Sequence, residues 1–546
     1  MSLPDFDTQL NLFGLAAQSE RLFKAEDPYR LFWERVFPLL ANSREKLAAC
    51  YCEDNGRPGI EPVVLLGVSI LQFMERVPDR EAIQRLRYHL GWKLALGQEL
   101  AGEEFHPTVL VRFRRRLIEQ EQGRLAFDLV LDGLKQAGLL KEGRRQRLDS
   151  THVLGLVAWM SELECIRETL RLALEEIEGG SEARPGFWEE LVERYLESQP
   201  EYRLSGEVIQ QKVQQMGMDM LRLLEWVESQ QAVIREGQRV GMLRRVLEEY
   251  FEVEENGIPR KRTGKERVVS CLRNPHEPEA EWSAKGLGEQ KKEWVGYKVQ
   301  VAETVEEAPV ESGEPTKNYL TAVETERATE SDEAGFEQVK KVQAASGLAV
   351  PQEWYVDTAY VSGQVLREAE LSGQQIWGPA QPAPCRGDRG FKSDQFWVEV
   401  EERRAICPAG KQSTQCSQLQ VGQSGAVNYR FEWSWQCRDC EWTEGCVGRG
   451  QKHRTLVVGQ YHTALQQRRQ EMKTEAFRHR MQRRHGIEGT LSELIRAHGL
   501  RRARYRGYRK VALQNYLIGA ASNIKRWLRR LAWQMQQTKR LALNTG

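Results

Sequence analysis

The sequence predicts a multidomain α+β protein in which a mixed α/β layer is flanked by helical regions. Residues 1–140 carry apolar side chains at helical spacing, with short turns between the segments. Once a helical stretch at 157–261 is set aside, residues 144–380 show the order strand–strand–strand–helix–strand–helix–strand. That order is typical of an α/β layer with a mixed sheet. Residues 461–546 are again predicted to be helical throughout.

The chain length of 546 residues predicts two to four domains. Changes in composition suggest five segments. They are a helical N-terminal segment (1–140), the first part of the mixed α/β layer (141–156 and 262–380), an acidic helical insertion (157–261), a Cys-rich insertion (381–460), and a C-terminal region with one core helix and a basic tail (461–546).

Composition and charge narrow the class of protein. Charged residues make up 29% of the chain and hydrophobic residues 40%, which is typical of a globular protein. The sequence has no run of 18 apolar residues, and its first ten residues do not resemble a signal peptide, so a cytoplasmic location is expected. The net charge of +1 hides an asymmetry: residues 168–201 contain ten acids, whereas the last 70 residues are strongly basic. A basic block of this kind indicates a nucleic-acid partner.

The N-terminal region suggests a helix-turn-helix arrangement. A helix in REAIQRLRYHLGWKLALG is followed by HPTVLVRFRRRL, which ends in three arginines, Arg114, Arg115 and Arg116. The functional interpretation is a DNA-binding module in which the arginines meet phosphates. The alternative is an ordinary bundle of short helices broken at Gly56–Gly59.

The predicted strands place two aspartates in the mixed layer. Asp149 falls in the middle of a short strand at 144–156, and Asp357 ends a strand at Glu353–Val356. An acid within a buried strand is costly unless it is paired or bound to a metal. The other predicted elements are strands at 294–302 and 318–325, helices in DEAGFEQVKKVQAASG and VLREAELSG, a strand in QQIWGP, and loops over 256–292.

Residues 477–510 form the most basic part of the chain, with eleven Arg or Lys and two Glu between positions 478 and 510. Read as a helix, one stripe carries Arg484, Glu488, Ser492 and Arg496, and an apolar stripe carries Ile487, Leu491, Leu494 and Ile495. Glu488 is therefore either a metal ligand facing a polyanion or half of an i,i+4 ion pair. The predicted DNA-contacting residues here are Arg484, Arg496, Arg501, Arg502, Arg504, Tyr505, Arg506, Arg509 and Lys510.

Five cysteines cluster between positions 407 and 446. The Cys437-x2-Cys440 spacing suits a structural zinc knuckle, and Cys407 and Cys446 are the best remaining pair for a four-thiolate site. Free thiols in a small core are the alternative. A catalytic cysteine is the least favoured reading, because no obvious histidine base lies nearby.

Asp149, Asp357 and Glu488 together suggest phosphoryl transfer. Carboxylates that converge from neighbouring strands and a helix are suited to holding two divalent ions about 3.5–4 Å apart. Hard oxygen ligands favour Mg²⁺ or Mn²⁺ over zinc at this site.

The chain resembles the DDE-type transposases of bacterial insertion sequences, and the resemblance covers most of its length. The family's helical N-terminal domain is matched by GRPGIEPVVLLGVSILQFMERVPDREAIQRLRYHLGWKLALG and HPTVLVRFRRRL. Its first-Asp strand, second strand and second-Asp segment are matched by RLDSTHV, VGYKVQV and WYVDTAYVSG. The most specific match is to its Glu-bearing signature, in RRHGIEGTLSELIRAHGLRRARYRG. The cysteine-bearing insertion of one long-chain branch is matched by CPAGKQS and CRDC.

The resemblance implies a ribonuclease H-like catalytic core and catalysis by Asp149, Asp357 and Glu488. It also implies binding of double-stranded DNA, both terminal inverted repeats and target DNA, by a homodimer or larger assembly. The related signature Tyr-x2-Arg-x3-Glu-x6-Lys fits at Arg484 and Glu488, but Met481 stands at the Tyr position and Ile495 at the Lys position. Arg496 follows immediately and could take the phosphate-contacting role.

The function predicted from the sequence is Mg²⁺-dependent cleavage of phosphodiester bonds at element ends, followed by strand transfer into target DNA. One alternative is a catalytically silent DNA-binding regulator derived from such an enzyme. Another is a ribonuclease H-like nuclease without strand transfer.

Overall fold

The structure is a computed structural model. It describes residue 3 and residues 14–51, 59–102, 104–140, 145–157, 160–180, 182–198, 205–264, 266–267, 270–286, 291–306, 313–383, 391–421, 426–448 and 450–545. The break expected at Gly56–Gly59 therefore lies largely outside the described residues.

The described residues form several separate β-sheets. Their strands are β1 Arg145–Leu154, β2 Phe251–Val253, β3 Pro259–Lys261, β4 Glu281–Lys285, β5 Lys292–Thr304, β6 Leu320–Arg327, β7 Glu353–Tyr355, β8 Gln375–Trp377, β9 Trp397–Glu399, β10 Arg404–Ile406, β11 Gln415–Val421, β12 Ala426–Glu432 and β13 Thr455–Gly459.

Helices precede, interrupt and follow these strands. The α-helices are α1 Ser19–Leu22, α2 Pro28–Leu31, α3 Phe37–Ala41, α4 Arg44–Ala48, α5 Pro62–Glu75, α6 Asp79–Tyr88, α7 Leu90–Ala95, α8 Thr108–Glu119, α9 Leu125–Gln136, α10 Glu162–Gly180, α11 Trp188–Val192, α12 Gly206–Glu228, α13 Ala232–Arg235, α14 Gln238–Tyr250, α15 Asp332–Ala345, α16 Gly363–Leu371, α17 Thr443–Cys446, α18 His462–Glu471, α19 Glu475–Met481, α20 Gly486–His498 and α21 Tyr508–Thr545. Short π-helical turns occur at Phe32–Val36 and Glu193–Glu197, and 3₁₀ turns at Thr358–Tyr360, Ser393–Gln395, Trp435–Cys437 and Gln482–His485.

The central sheet is mixed, as predicted. Its strand order is β4-β5-β1-β7-β8, and β6 pairs with β5 on the same side as β4. β1 is antiparallel to β5 and parallel to β7, which is in turn parallel to β8. β4 and β6 pair with successive halves of β5, so they lie end to end along its outer edge.

Two sequence predictions about this sheet are wrong. Residues 256–292 were expected to be loops, but β4 lies within them and is antiparallel to the start of β5. The sequence of β4, EWSAK, has no alternating pattern, so only pairing with β5 makes it a strand. The alternation in β5 predicted one buried face, yet Val295–Thr304 is buried along both faces, because helices cover both sides of the sheet.

The N-terminal helices share one hydrophobic core with the sheet. This core joins α5, α9, α20 and α21 to the apolar residues of β5, while the opposite sheet face packs on α15 and α16. α5 is buried from Pro62 to Phe73, which explains why its sequence is apolar on nearly every side. The long C-terminal helix α21 contacts both α5 and β6, so chain ends far apart in sequence stabilise the same sheet.

Two further segments have cores of their own. Helices α10–α14 pack around Leu170, Met220 and Tyr250, and Cys271 and Leu272 join the same core. The segment after β8 packs around Phe396, Phe431 and Trp433. Among the described residues, no helix has both the length and the apolar character needed to cross a membrane.

Candidate functional site

Asp149 and Asp357 lie side by side because of the register between β1 and β7. These strands are parallel, with Arg147 opposite Tyr355. Asp149 is two residues beyond Arg147, and Asp357 is two residues beyond Tyr355 at the end of its strand. Each carboxylate accepts a hydrogen bond from the backbone N–H of the next residue, at 2.8 Å for Asp149 and 2.7 Å for Asp357.

The third predicted acid reaches the same place from α20. Glu488 lies in the first turn of this helix, directly after the 3₁₀ turn that carries Arg484. Arg484 Nη2 lies 2.9 Å from Asp149 Oδ2 and 3.7 Å from Asp357 Oδ2, and Nη1 lies 3.5 Å from Glu488 Oε1. All three predicted acids therefore meet around a single guanidinium group.

Burial falls steeply across this cluster. The Arg484 and Asp149 side chains are 13% and 17% exposed, whereas Asp357 and Glu488 are 47% and 69% exposed. Burial raises the pKa of Asp149 above its usual range, and the neighbouring Arg484 partly opposes the shift. Arg484 Nε is buried without a hydrogen-bond partner in the described residues. The guanidinium is thus held by its carboxylates without being fully satisfied.

A buried ion network holds α20 against the sheet. Glu303 on β5 has no exposed side-chain surface, and it accepts from Arg147 Nε at 2.6 Å and from Arg526 Nη1 at 2.9 Å. Thr490 on α20 also donates to Glu303. Arg526 Nη2 in turn donates to Glu493, which is also on α20, at 2.8 Å. The network therefore joins β1, β5, α20 and α21 beneath Glu488.

Gly486 allows the close approach that this arrangement needs. Arg147 Nη1 donates to the Arg483 carbonyl at 2.9 Å, just ahead of Arg484. A Cβ atom added at Gly486 would stand only 1.9 Å from Arg147 Nη1. Any larger side chain would push the Arg147 guanidinium away from the turn that presents Arg484.

The donor chemistry of the three acids suits a divalent cation, since all are hard carboxylate oxygens. Nevertheless, in the described part of the chain no three His, Cys, Asp or Glu side chains stand at the mutual spacing of metal ligands. At the Asp149 cluster the Arg484 guanidinium lies between the carboxylates, and this contact explains their separation.

Several of the predicted DNA-contacting residues have structural partners. Arg114 is 6% exposed; its Nη1 donates to Asp79 Oδ1 at 3.1 Å, and its guanidinium lies over the Tyr505 ring. Arg504 Nη1 donates to the Val77 carbonyl at 3.0 Å. These contacts anchor the basic segment to the N-terminal helices, so we assign Arg114, Arg504 and Tyr505 a structural role.

The other predicted DNA-contacting residues are more exposed to solvent. Arg116 is partly buried and lies over the Tyr51 ring, and Arg501 is partly buried beside His152. Arg509 donates to the Ile118 carbonyl but is otherwise exposed. Among the predicted DNA-contacting residues, those that are exposed are Arg115, Arg496, Arg502, Arg506, Arg509 and Lys510.

Two further basic residues, Lys285 and Lys292, lie near Arg501 and were not among the residues predicted from the sequence. Lys285 and Lys292 are opposite each other in β4 and β5, both exposed, and both act electrostatically on His152. Arg501 Nη1 lies 2.7 Å from a ring nitrogen of His152. Burial and the positive charge of Arg501 together lower the pKa of His152 to about 4. Neither lysine belongs to a motif, so only the pairing of β4 with β5 could have identified them.

The four cysteines predicted as a zinc site lie around one cavity. Cys407, Cys437, Cys440 and Cys446 all line a cavity of about 20 Å³ in the segment after β8. Cys416 lies instead on β11, opposite Phe431 of β12. All five are free thiols.

A larger cavity of about 830 Å³ lies between β6 and the helical insertion. Acids line much of it, including Glu279, Glu281, Glu326 and Glu330, so it does not suit a polyanion. Burial raises the pKa of Glu326 to about 7, although Gln300 Nε2 donates to it at 3.0 Å and Lys298 lies 3.7 Å away.

Replacing Glu326 by Gln is expected to stabilise the protein at high pH. The pKa of Glu326 is about 7 in the folded protein, above its ordinary value of 4.5. Protonation of Glu326 therefore contributes fully to the free energy of unfolding below pH 4.5, and this contribution is lost as the pH rises through about 7. Glu326→Gln should therefore add up to about 3 kcal/mol to the free energy of unfolding at pH 8, and the gain should shrink toward pH 4.5. Urea denaturation across this pH range measures it. Glu337→Gln, at a more exposed site on α15 where Glu337 pairs with Lys340, is the control and should change the free energy of unfolding by no more than about 0.5 kcal/mol. An equal effect of the two substitutions would contradict the assignment.

Comparison with known proteins gives two family matches. Residues 406–528 match the family described as Transposase DDE domain. Residues 18–116 match the family described as Transposase domain (DUF772). The first match contains Arg484, Glu488 and the cysteine cavity, and the second contains the N-terminal helices through Arg116. No curated protein matches the chain.

Proposed function

We propose that the chain is a DNA transposase that binds the ends of its element, cuts the phosphodiester bonds there and joins the ends to target DNA. The two families indicate DNA transposase function and DNA as the substrate. They also imply the use of a divalent metal.

One observation carries the proposal: Asp149, Asp357 and Glu488 contact a single guanidinium although 339 positions separate the first from the last (488 − 149). The sequence pattern points to the same three acids, although it carries no information on the distances between them. An accidental set of surface acids has no reason to converge, because like charges repel.

The strand order supports a ribonuclease H-like catalytic core. A long antiparallel pair, β1 with β5, is extended on one side by parallel β7 and β8, and the acids lie on β1, after β7 and on a late helix. This is the order of elements that the resemblance to DDE transposases implies.

The three carboxylates would hold Mg²⁺, or Mn²⁺ in its place. When bound, such ions activate the attacking oxygen and stabilise the leaving oxygen of an in-line phosphoryl transfer. The protein residues supply the positioning. The β1–β7 register holds Asp149 beside Asp357, and the Glu303 network holds α20 so that Glu488 faces them.

Arg484 has two roles in this proposal. Without DNA it lies between the three acids and offsets part of their negative charge. With DNA bound, a phosphate offers the guanidinium a bidentate partner of the kind arginine prefers. Its departure from the carboxylates would free their oxygens, so DNA binding and metal binding would be coupled.

Replacing Arg484 by Ala is expected to change metal affinity and cleavage in opposite directions. Removing the guanidinium should tighten Mn²⁺ binding to the DNA-free protein at least about tenfold, since a cation within 4 Å of the ligands is lost. Cleavage of end DNA should fall, because the phosphate loses its partner. Mn²⁺ titration followed by electron paramagnetic resonance measures the first effect, and a gel assay measures the second.

Arg496→Ala is the matched control for that experiment, since Arg496 is exposed on α20, the helix that follows the turn carrying Arg484. Its Mn²⁺ affinity should equal that of the wild type. An unchanged Mn²⁺ affinity in Arg484→Ala would show that the guanidinium does not compete with the metal.

The proposed function is tested with DNA that carries the inverted repeats flanking the gene. The purified full chain should cut at the repeat ends in Mg²⁺ and join the resulting 3′-hydroxyl ends to a target plasmid. Binding without cutting would indicate the silent regulator, and cutting without joined products would indicate a nuclease without strand transfer. Either result would overturn the proposal as stated.

The proposed surface for the DNA backbone is made of exposed basic residues. Residues 500–503 run along the end of β1, where Ala503 N–H donates to the Leu154 carbonyl at 2.9 Å. Exposed Arg502, Lys285 and Lys292 are therefore grouped near the end of the strand that carries Asp149. A homodimer or larger assembly on DNA remains part of the proposal, on the analogy of the family alone.

A further inference from the structure

We propose that Cys407, Cys437, Cys440 and Cys446 bind one structural Zn²⁺ ion. The four side chains come from three separate parts of the segment after β8, and all of them line the same cavity of about 20 Å³. A cavity of that volume admits one small occupant. The site is separate from the Asp149 cluster, and its proposal does not depend on the proposed function.

The first part of the site is the turn after β10. Cys407 N–H donates to the Lys411 carbonyl at 2.9 Å, and Gly410 N–H donates to the Cys407 carbonyl at 2.9 Å. Gly410 has a φ of +73°, a left-handed conformation that favours glycine. This tight turn presents the Cys407 thiol at the end of a short hairpin.

The second part is the turn that contains Cys437 and Cys440. The Thr443 hydroxyl lies 2.9 Å from the Cys437 carbonyl and 2.7 Å from the Cys440 carbonyl, so it ties the two ends of the Cys-x2-Cys turn together. The one-turn helix α17 follows and ends at Cys446. The fourth thiol is thereby brought back to the same cavity.

The four thiols line one cavity, so a cation bound there would meet all of them. Zinc binds thiolates, so binding would release their protons. The sulfurs do not yet stand at ligand spacing, so binding would draw them inward around the cavity.

The chemistry of the cluster selects the metal. Four soft thiolates in a tetrahedral set favour zinc over the hard cations expected at the carboxylates. Four thiolates on Zn²⁺ leave a net charge of −2, and two cations lie beside the cavity. Arg454 donates to the Cys446 carbonyl at 3.0 Å, and Lys411 donates to the Gln436 carbonyl at 2.8 Å.

The segment also needs a further stabilising element. Its buried core consists of eight hydrophobic residues on short strands or directly beside them: Phe396, Val398, Val400, Ala405, Phe431, Trp433, Leu456 and Val458. Small cores of this kind are commonly supplemented by a structural metal. The residues from Trp435 to Val447 contain little regular structure, and the proposed ion would join them to the β10 turn.

The test measures metal in the intact chain, purified from cells supplied with zinc. We expect one Zn²⁺ per chain, and Co²⁺ substitution should give the thiolate charge-transfer and ligand-field absorption of a tetrahedral sulfur site. A double Cys437→Ser, Cys440→Ser variant should lose the ion. Cys416→Ser is the matched control and should keep it, since Cys416 lies on β11 away from the cavity.

The wild-type measurement keeps the proposal falsifiable even if the double variant fails to fold. A wild-type chain with no zinc and no Co²⁺–thiolate absorption would overturn the proposal. Loss of the ion in Cys416→Ser to the same extent as in the double variant would also overturn it. These readouts use no DNA, so they are independent of whether the chain proves to be a transposase.

Discussion

Replacing Asp149 by Asn is expected to reduce the cleavage of end DNA by a factor on the order of 10³, and Asp357→Asn should do the same. The amide keeps the size of the carboxylate but removes the charge that would hold the divalent ion. Both residues are at the β1–β7 junction, where they contact the same nitrogen of Arg484. A single-turnover cleavage assay in Mg²⁺ measures the effect. Glu488→Gln should also lose activity, because Glu488 completes the set from α20.

Asp132→Asn is the control for these variants. Asp132 is 57% exposed on α9 and pairs with Lys135, so the same chemical change should leave cleavage unaltered. Circular dichroism would check that Asp149→Asn remains folded. If Asp149→Asn or Asp357→Asn cut end DNA at the wild-type rate, the assignment of the active site would be wrong.

Replacing Glu303 by Gln is expected to destabilise the protein by about 3–5 kcal/mol. The substitution leaves the guanidinium groups of Arg147 and Arg526 without their shared carboxylate in a fully buried place. Removing one partner of a buried ion pair is costly because the remaining charge loses its compensation. Chemical denaturation, followed by circular dichroism, measures the change in the free energy of unfolding.

An exposed ion pair provides the comparison. Glu20 is 82% exposed and pairs with Arg30 at 3.3 Å, so Glu20→Gln should change the free energy of unfolding by no more than about 0.5 kcal/mol. Equal effects of the two substitutions would show that the Glu303 network does not hold the sheet and α20 together.

The sequence was sufficient for features that depend on local pattern. Periodicity located the strands around Asp149 and Asp357 and the helix DEAGFEQVKKVQAASG, which forms α15 and ends just before Gly347. The prediction that residues 461–546 are helical throughout is wrong for residues 499–507, which connect α20 to α21. The strand and helix predictions that held did so because the spacing of apolar residues in an alternating strand or an amphipathic helix reflects which face is buried.

Other features have no local signal. β4 is a strand only because β5 offers an edge, and Lys285 is beside Lys292 only through that pairing. The sharing of one core by the N-terminal helices and α21 is likewise a long-range contact. Arg114 was expected at a DNA surface from its place in an Arg triplet, whereas Asp79 and Tyr505 enclose it.

The sequence by itself determined the candidate residues for the proposed chemistry: three carboxylates on predicted elements, a basic stretch and four clustered cysteines. Only the tertiary structure decided that the three carboxylates meet, and that they meet at Arg484. The physical reason is that their meeting depends on strand register and on the buried Glu303 network, which join residues more than a hundred positions apart. Local patterns carry no information on such distances.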